Sequence, residues 1–228
     1  MSTGTVSAGT VERVCVGRVE TFRDADGREM TSAVRKRPVE EPVAVTSEGL
    51  AGDASAHPSH RGPNMWIHAF PAQHYAWFEA RAGRRIPVPA FGENLSMSGC
   101  DEQTVRVGDV VRAGTALLQV TQPTVRCSTL GRAAGLPLLL DWIEESLFTG
   151  WYYRVLEAGT VTAGDRWELV RQGTSRWTID RLNRALLREL HDRALVQELV
   201  ASPDLTPEWK GSLSRRAARL HPGGTATA

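Results

Sequence analysis

One cysteine of the chain, Cys127, stands where a thiol can do chemistry. It follows Thr121-Gln122-Pro123-Thr124-Val125-Arg126, which in turn follows the apolar run Ala116 to Val120. The run predicts a buried strand, so the thiol is expected at a strand end beside an arginine. A neighbouring cation favours the thiolate, the form that attacks electrophiles or binds soft metals. A cysteine here is also common as a small buried apolar residue, and the local sequence leaves both interpretations open.

Two loops combine polar residues with glycine. The first, His57-Pro58-Ser59-His60-Arg61-Gly62-Pro63-Asn64, leads into a predicted strand. Its glycine allows close approach of the backbone, and such a loop can cradle a phosphate or oxyanion. A solvent-exposed polar loop is the alternative interpretation. The second loop, Pro89 to Ser96, offers Glu93 and Asn94 beside a glycine.

The remaining histidines do not form a zinc motif. His68 and His74 have no Cys-x-x-Cys pair to join, because the chain contains none. A structural zinc site is therefore not expected.

The composition is that of an ordinary globular protein. The 228 residues suit one domain with an appendage or two small domains, and 41% are hydrophobic and 23% charged. A net charge of +1 gives no reason to expect nucleic acid as a partner. The basic segment Arg35-Lys36-Arg37 remains a candidate anion site.

Cysteine usage and hydropathy predict a compartment. Three cysteines, Cys15, Cys100 and Cys127, make no even disulfide framework. No apolar stretch has transmembrane length, and the first ten residues lack the features of a signal peptide. We therefore expect a cytoplasmic location, no membrane association and free thiols.

The first three quarters of the chain predict a barrel or sandwich of short strands separated by glycine and proline. The predicted strands are Val11–Glu20, Val39–Val45, Met65–Phe70, Thr104–Val107, Ala116–Thr121, Trp151–Leu156 and Trp167–Val170. Two helices, at Ala72–Ala82 and Leu136–Ser146, interrupt them.

The tail changes to a helical period. Ile179, Leu182, Leu186 and Leu190 recur at spacings of three and four, and Thr178 is a candidate N-cap. Further helices are predicted at Ala194–Val200 and from Pro207 onward. The expected organisation is a flexible N-terminus (1–9), a β domain (10–173), a three-helix extension (177–220) and a disordered tail (221–228).

Six motifs occur in an order and spacing that resemble a known family. They are Gly49–Asp53, His60–Asn64, Phe91–Leu95, Val107–Asp109, Thr121–Pro123 with Cys127, and Thr149–Leu156. Together they resemble a MOSC domain of the YiiM-like kind over about residues 10 to 220. The tail resembles the three-helix extension of that family.

The resemblance implies a mainly β (α+β) fold, a β-barrel that holds the molybdenum cofactor with Cys127 as the molybdenum ligand. It implies reduction of N-hydroxylated or N-oxide small molecules, with electrons from a partner redox protein. His60 or His68 is the expected proton donor, since histidine titrates near neutral pH. The pocket residues carried over are Lys36, His60, Arg61, Asn94, Thr121 and Gln122, with Lys36, Arg61 and Arg126 binding the anionic parts of the cofactor.

Several positions depart from the pattern of the family. Met65 and Thr129 replace usual basic residues, Trp66 replaces a small one, and Thr124 and Arg126 stand where Arg and Pro are common. Each charge-assisted hydrogen bond to an anion is worth about 1.5–3 kcal/mol, so fewer cations would weaken cofactor binding. Two alternatives therefore remain: a cofactor-independent thiol enzyme or sulfur carrier that uses Cys127 as nucleophile or persulfide, and a non-catalytic binding module whose tail docks a partner or a second copy as a homodimer.

Overall fold

The computed structural model describes residues 8–24, 26–56, 62–126 and 128–220. In these ranges the strands are β1 (Ala8–Val16), β2 (Glu20–Arg23), β3 (Glu29–Ser32), β4 (Arg37–Val39), β5 (Val43–Thr46), β6 (Gly49–Leu50), β7 (Ile67–Pro71), β8 (Leu95–Ser98), β9 (Val110–Ala113), β10 (Ala116–Pro123), β11 (Trp151–Glu157), β12 (Gly159–Val161) and β13 (Arg166–Arg171). The helices are α1 (Tyr75–Ala82), α2 (Ser128–Ala134), α3 (Leu139–Ser146), α4 (Ile179–Leu187), α5 (Arg193–Ala201) and α6 (Pro207–Leu220). None of these helices could cross a lipid bilayer by its length and hydropathy.

Seven strands close into a barrel, in the order β13-β9-β10-β11-β7-β8-β1, and β13 pairs again with β1. All neighbours are antiparallel except β7 and β8, which run parallel. Closure leaves no free edge among these strands, and β4 adds to β1 on the outside. The predicted mainly β barrel with surface helices is confirmed.

The closing pair of strands requires a glycine. Gly9 in β1 lies opposite Trp167 in β13, and a Cβ atom at this position would lie 2.0 Å from the carbonyl oxygen of Ser98. Ala8 and Gly9 were predicted to belong to a flexible N-terminus. They instead form the first residues of β1, because pairing with β13 satisfies their backbone groups.

Strand β10 shows how the barrel and the C-terminal helices share one core. Ala116, Leu118 and Val120 are buried in alternation, as expected for one inward face. From Val120 to Pro123 every residue is buried, because α4 and α6 cover the outer face. Trp209 and Leu213 of α6 are both 0% exposed and belong to the same apolar cluster as the barrel residues.

A second apolar cluster lies beneath α1, α2 and α3. Its centre is Phe70 of β7, whose ring stacks on Phe91 with 4.1 Å between centroids and contacts Phe78 of α1. This cluster supports the loop around Phe91, one wall of the cleft described below.

The three predicted helices of the tail all form. Ile179, Leu182 and Leu186 of α4 are at most 2% exposed, as their spacing predicts. Thr178 caps α4, because its hydroxyl accepts a 3.1 Å hydrogen bond from the backbone N–H of Arg181.

Other boundaries differ from prediction. Thr104–Val107 forms only an isolated bridge between Arg106 and Thr178, because the tail rather than a strand lies beside it. The predicted strand Val39–Val45 divides into β4 and β5 around Pro42, which cannot donate to a ladder. Helix α2 was not predicted, and α3 begins three residues later than expected.

We predict that Thr178→Ala lowers the free energy of unfolding by about 1 kcal/mol, because the first turn of α4 loses its side-chain acceptor. Chemical denaturation measures the effect. Thr178→Ser keeps a hydroxyl and serves as the control, expected to stay close to wild type. Equal stabilities for the alanine variant and wild type would show that the cap contributes nothing.

Candidate functional site

A cleft of about 470 Å³ opens beside the end of β10. Residues from segments 31–36, 53–56, 65–68, 91–94 and 124–130 line it. Arg126, which precedes Cys127 in the sequence, lies on this wall, whereas Cys127, His60 and Arg61 lie outside the described residues. A cleft of this size matches the volume range of small-molecule sites, about 300–1,000 Å³.

The guanidinium group of Arg126 joins three segments of chain. Its Nη1 donates to the carbonyl oxygen of Phe91 at 2.7 Å, and its Nη2 donates to the carbonyl oxygen of Thr149 at 2.5 Å. Nη2 also lies 2.8 Å from Nε2 of His68. Three acceptors around a planar donor group fix both the position and the orientation of this cation.

His68 is a hydrogen-bond acceptor in this arrangement. Because arginine has no acceptor, Nε2 of His68 must be unprotonated, which assigns the proton of the neutral ring to Nδ1. Burial, and then the charge of Arg126, hold the pKa of His68 well below its usual 6.5. Near neutral pH the ring is therefore neutral, and it orients Arg126. The role of His68 as a proton donor stays a prediction, and this environment disfavours it.

Asn94 lines the cleft as predicted, but its side chain serves the backbone. Its Oδ1 accepts from the N–H of His68 at 3.0 Å, and its Nδ2 donates to the carbonyl oxygen of Cys15 at 3.1 Å. These bonds tie β1 to β7 behind the cleft. The amide of Asn94 thus positions His68.

Lys36 also lines the cleft, and its charge is compensated. Its Nζ lies 2.5 and 2.6 Å from the two carboxylate oxygens of Asp53, with side-chain exposures of 9% and 13%. Asp53 also accepts from the N–H of Gly17 at 2.7 Å. The sequence pointed to Lys36 as an anion-binding residue and missed this carboxylate, although Asp53 ends one of the six motifs.

Thr121 and Gln122 were predicted as cofactor-binding residues, and the structure places them away from the described cleft wall. The hydroxyl oxygen of Thr121 lies 2.6 Å from the carbonyl oxygen of Asn64 and 3.0 Å from that of Tyr152, and these two acceptors share its single proton. Gln122 accepts a hydrogen bond from the hydroxyl of Thr206, at the start of α6. Both are buried under the C-terminal helices, and they join β10 to its neighbours.

Thr124 is a buried residue whose hydroxyl has no hydrogen-bond partner among the residues that the structure describes. The residue is 2% exposed and lines the cleft. Such a group is costly unless a ligand or water satisfies it. Met65, Trp66 and Thr129 also line the cleft, so its described wall contains uncharged side chains at these three positions.

Two of the three thiols are buried and protonated. Burial, and then the carboxylate of Glu93, raise the pKa of Cys15 to about 12, and burial raises the pKa of Cys100 well above its usual value. Both are free cysteines at most 3% exposed. Neither of these two thiols is suited to thiolate chemistry near neutral pH.

We predict that iodoacetamide at pH 8 leaves Cys15 and Cys100 unmodified in the native protein, because the thiolate is the reactive form. All three cysteines should react in denaturant, which provides the control. Peptide mass spectrometry measures the labelling. Rapid modification of Cys15 in the native state would contradict the burial described above.

We also predict that Lys36→Met lowers the free energy of unfolding by about 3 kcal/mol, because the Asp53 carboxylate loses its cation in a buried site. The matched control is the double variant Lys36→Met/Asp53→Leu, which should be more stable than Lys36→Met alone. Denaturant unfolding compares wild type, the two single variants Lys36→Met and Asp53→Leu, and the double variant. A double variant destabilised by the sum of both single changes would rule out the pairing.

Comparisons with known proteins agree with this architecture. A family model described as MOSC domain matches residues 56–168, and one described as YiiM-like, 3-alpha helix domain matches residues 177–219. YflK of Bacillus subtilis strain 168 is 30% identical over 208 residues, which are 91% of this chain and 94% of that protein. A protein of Gibberella moniliformis named reductase is 28% identical over 186 residues, which are 80% of this chain and 33% of that protein.

Solved structures agree as well. The crystal structure of YiiM from Geobacillus stearothermophilus superposes with a TM-score of 0.76 at 32% identity, covering 92% of this chain and 100% of that one. The fold, the extension and the relatives all agree with the resemblance seen in the motifs. The chain belongs to the MOSC family and is a YiiM-like member with the three-helix extension.

Proposed function

We propose that the protein is a MOSC-type oxidoreductase that binds the molybdenum cofactor in the cleft, with Cys127 as the metal ligand. Its substrate is a small N-hydroxylated or N-oxide compound. MOSC domains are generally associated with this cofactor, and one relative carries the name reductase. The observation that carries the proposal is the fixed guanidinium of Arg126 on the cleft wall, next in sequence to Cys127.

The donor set of the cleft fits such a group. A thiolate is a soft ligand suited to the metal, whereas arginine, lysine and hydroxyl groups suit the anionic pterin phosphate. The hydroxyl of Thr124, which has no partner in the described part of the chain, supplies a further donor on the cleft wall. Arg126 would hold the anionic parts, with Lys36 contributing a charge that Asp53 partly offsets.

The protein's own residues prepare the site for reduction. The guanidinium group of Arg126 is already oriented by its protein acceptors. It therefore needs little movement when an anionic ligand binds. Met65, Trp66 and Phe91 form apolar parts of the wall and exclude water from the bound molecule. The cofactor, when bound, would provide the chemistry that removes the oxygen atom from the N–O group of the substrate.

The overall reaction converts R–NH–OH, two electrons and two protons into R–NH₂ and water. The electrons come from a partner redox protein. The protons come from solvent, because His68 is held neutral at neutral pH. This assignment replaces the role that the sequence suggested for His68.

A second candidate is a cofactor-independent thiol enzyme in which Cys127 is the nucleophile or carries a persulfide. The compensated charge of Lys36 and the uncharged residues Met65 and Thr129 favour it. With these residues, the described wall has less positive charge available to bind a phosphate than the motifs predict. Intact mass after incubation with a sulfur donor separates this candidate from the first, since a persulfide adds one sulfur to Cys127.

We predict that the chain, produced in a host able to make the cofactor, co-purifies with molybdenum and pterin, and that Cys127→Ser loses the metal. Elemental analysis and pterin fluorescence measure the content. Cys100→Ser is the matched control and should keep both, because Cys100 lies away from the cleft in the barrel core. Protein with neither molybdenum nor pterin would defeat the proposed function.

A further inference from the structure

The C-terminal extension reaches the cleft through one buried residue. Asn183 of α4 is 1% exposed, and both hydrogens of its Nδ2 are used. They are donated to the carbonyl oxygen of Leu147 at 2.9 Å and to the hydroxyl oxygen of Thr149 at 2.8 Å. The carbonyl oxygen of that same Thr149 accepts the bond from Arg126.

The segment that Asn183 holds has a conformation that needs support. Leu147 has φ = 64°, in the left-handed region, and within the described ranges it is the one non-glycine residue with a positive φ. For a side chain such as leucine this conformation costs about 1–2 kcal/mol. The bond from Asn183 to the carbonyl oxygen of Leu147 helps to maintain it. Gly150 is held from the other side, where its N–H donates to Glu102 at 2.8 Å.

The packing between barrel and extension leaves a space at this point. A second cavity of about 70 Å³ lies beside the cleft, and Thr124, Arg126 and Thr149 form its barrel side. Asn183 and Leu186 of α4 form part of the opposite side. Next to this space, the hydrogen bonds of Asn183 connect α4 directly to the segment that contains Thr149.

Helix α4, which donates these hydrogen bonds, is itself held in place by packing and by an N-cap. It carries Asn183 between Leu182 and Leu186, which pack into the shared core, and Thr178 caps its first turn. The side-chain amide of Asn183 is therefore carried by a rigid helix. A residue can orient another group only if its own position is fixed.

We propose that Asn183 is a positioning residue for Arg126, and that the C-terminal extension thereby completes the cleft of the barrel. Asn183 fixes Thr149, Thr149 fixes the guanidinium of Arg126, and Arg126 contacts His68. This role goes beyond the proposed function and does not depend on which ligand the cleft binds. It assigns the extension a part in the site in addition to its part in the core.

The test uses His68 as a reporter. We expect Asn183→Leu, which has a similar shape and no donors, to let Arg126 move away from the His68 ring. Loss of that nearby positive charge raises the pKa of His68. Loss of the hydrogen bond that the protonated ring donates to the carbonyl oxygen of Thr149 lowers it, but this is the smaller of the two effects. We therefore expect the pKa of His68 to rise toward its usual value, measured by NMR titration of the imidazole nitrogens.

The controls separate positioning from general loss of stability. Thr206→Val removes another buried hydrogen bond between the extension and β10, but one that does not reach Arg126. It should leave the pKa of His68 unchanged while lowering the melting temperature. Thr149→Val keeps the carbonyl and removes the acceptor for Asn183, so it should shift the pKa in the same direction as Asn183→Leu, and it serves if the leucine variant does not fold.

Two results would overturn the proposal. One is an unchanged pKa of His68 in the folded Asn183→Leu and Thr149→Val proteins. The other is an equal shift in Thr206→Val. Neither depends on molybdenum, so a wild-type protein without cofactor would count against the proposed function and leave this test intact.

Discussion

The form of the cleft depends on one constraint, which is that the guanidinium group of Arg126 must have hydrogen-bond acceptors. Arginine cannot lose its charge in a protein, so a half-buried guanidinium must be surrounded by oxygen or nitrogen acceptors. Arg126 finds them in the carbonyl oxygens of Phe91 and Thr149 and in the ring of His68. These acceptors come from three separate segments, so satisfying this one charge brings the segments together and sets the form of the cleft wall at Arg126.

The acceptors of Arg126 are themselves held by a second set of buried contacts. The Phe91 ring stacks on Phe70 of β7, and the backbone of His68 is tied to Asn94. Asn183 and Glu102 hold the turn that contains Thr149. The three-helix extension therefore contributes in two ways, through apolar residues that complete the barrel core and through a polar contact that reaches the site.

The sequence was most informative where structure depends on near neighbours. The amphipathic spacing of Ile179, Leu182 and Leu186 and the cap at Thr178 correctly predicted α4, because both signals lie within a few residues. The motif order predicted the MOSC fold. By contrast, the pairing of Lys36 with Asp53 and the roles of Thr121 and Gln122 depend on contacts across the fold. No local pattern distinguishes a polar residue that faces a cleft from one that ties a strand to a helix. The predicted roles of Cys127, His60 and Arg61 stay predictions.

The central claim is that the cleft beside Arg126 holds an anionic molybdenum group bound to Cys127. The most direct measurement is anomalous diffraction at the molybdenum absorption edge, from crystals of protein made in a host that supplies the cofactor. The account predicts one strong peak in the cleft, within bonding distance of the Cys127 sulfur. Crystals that diffract well and show no peak in the cleft would contradict it.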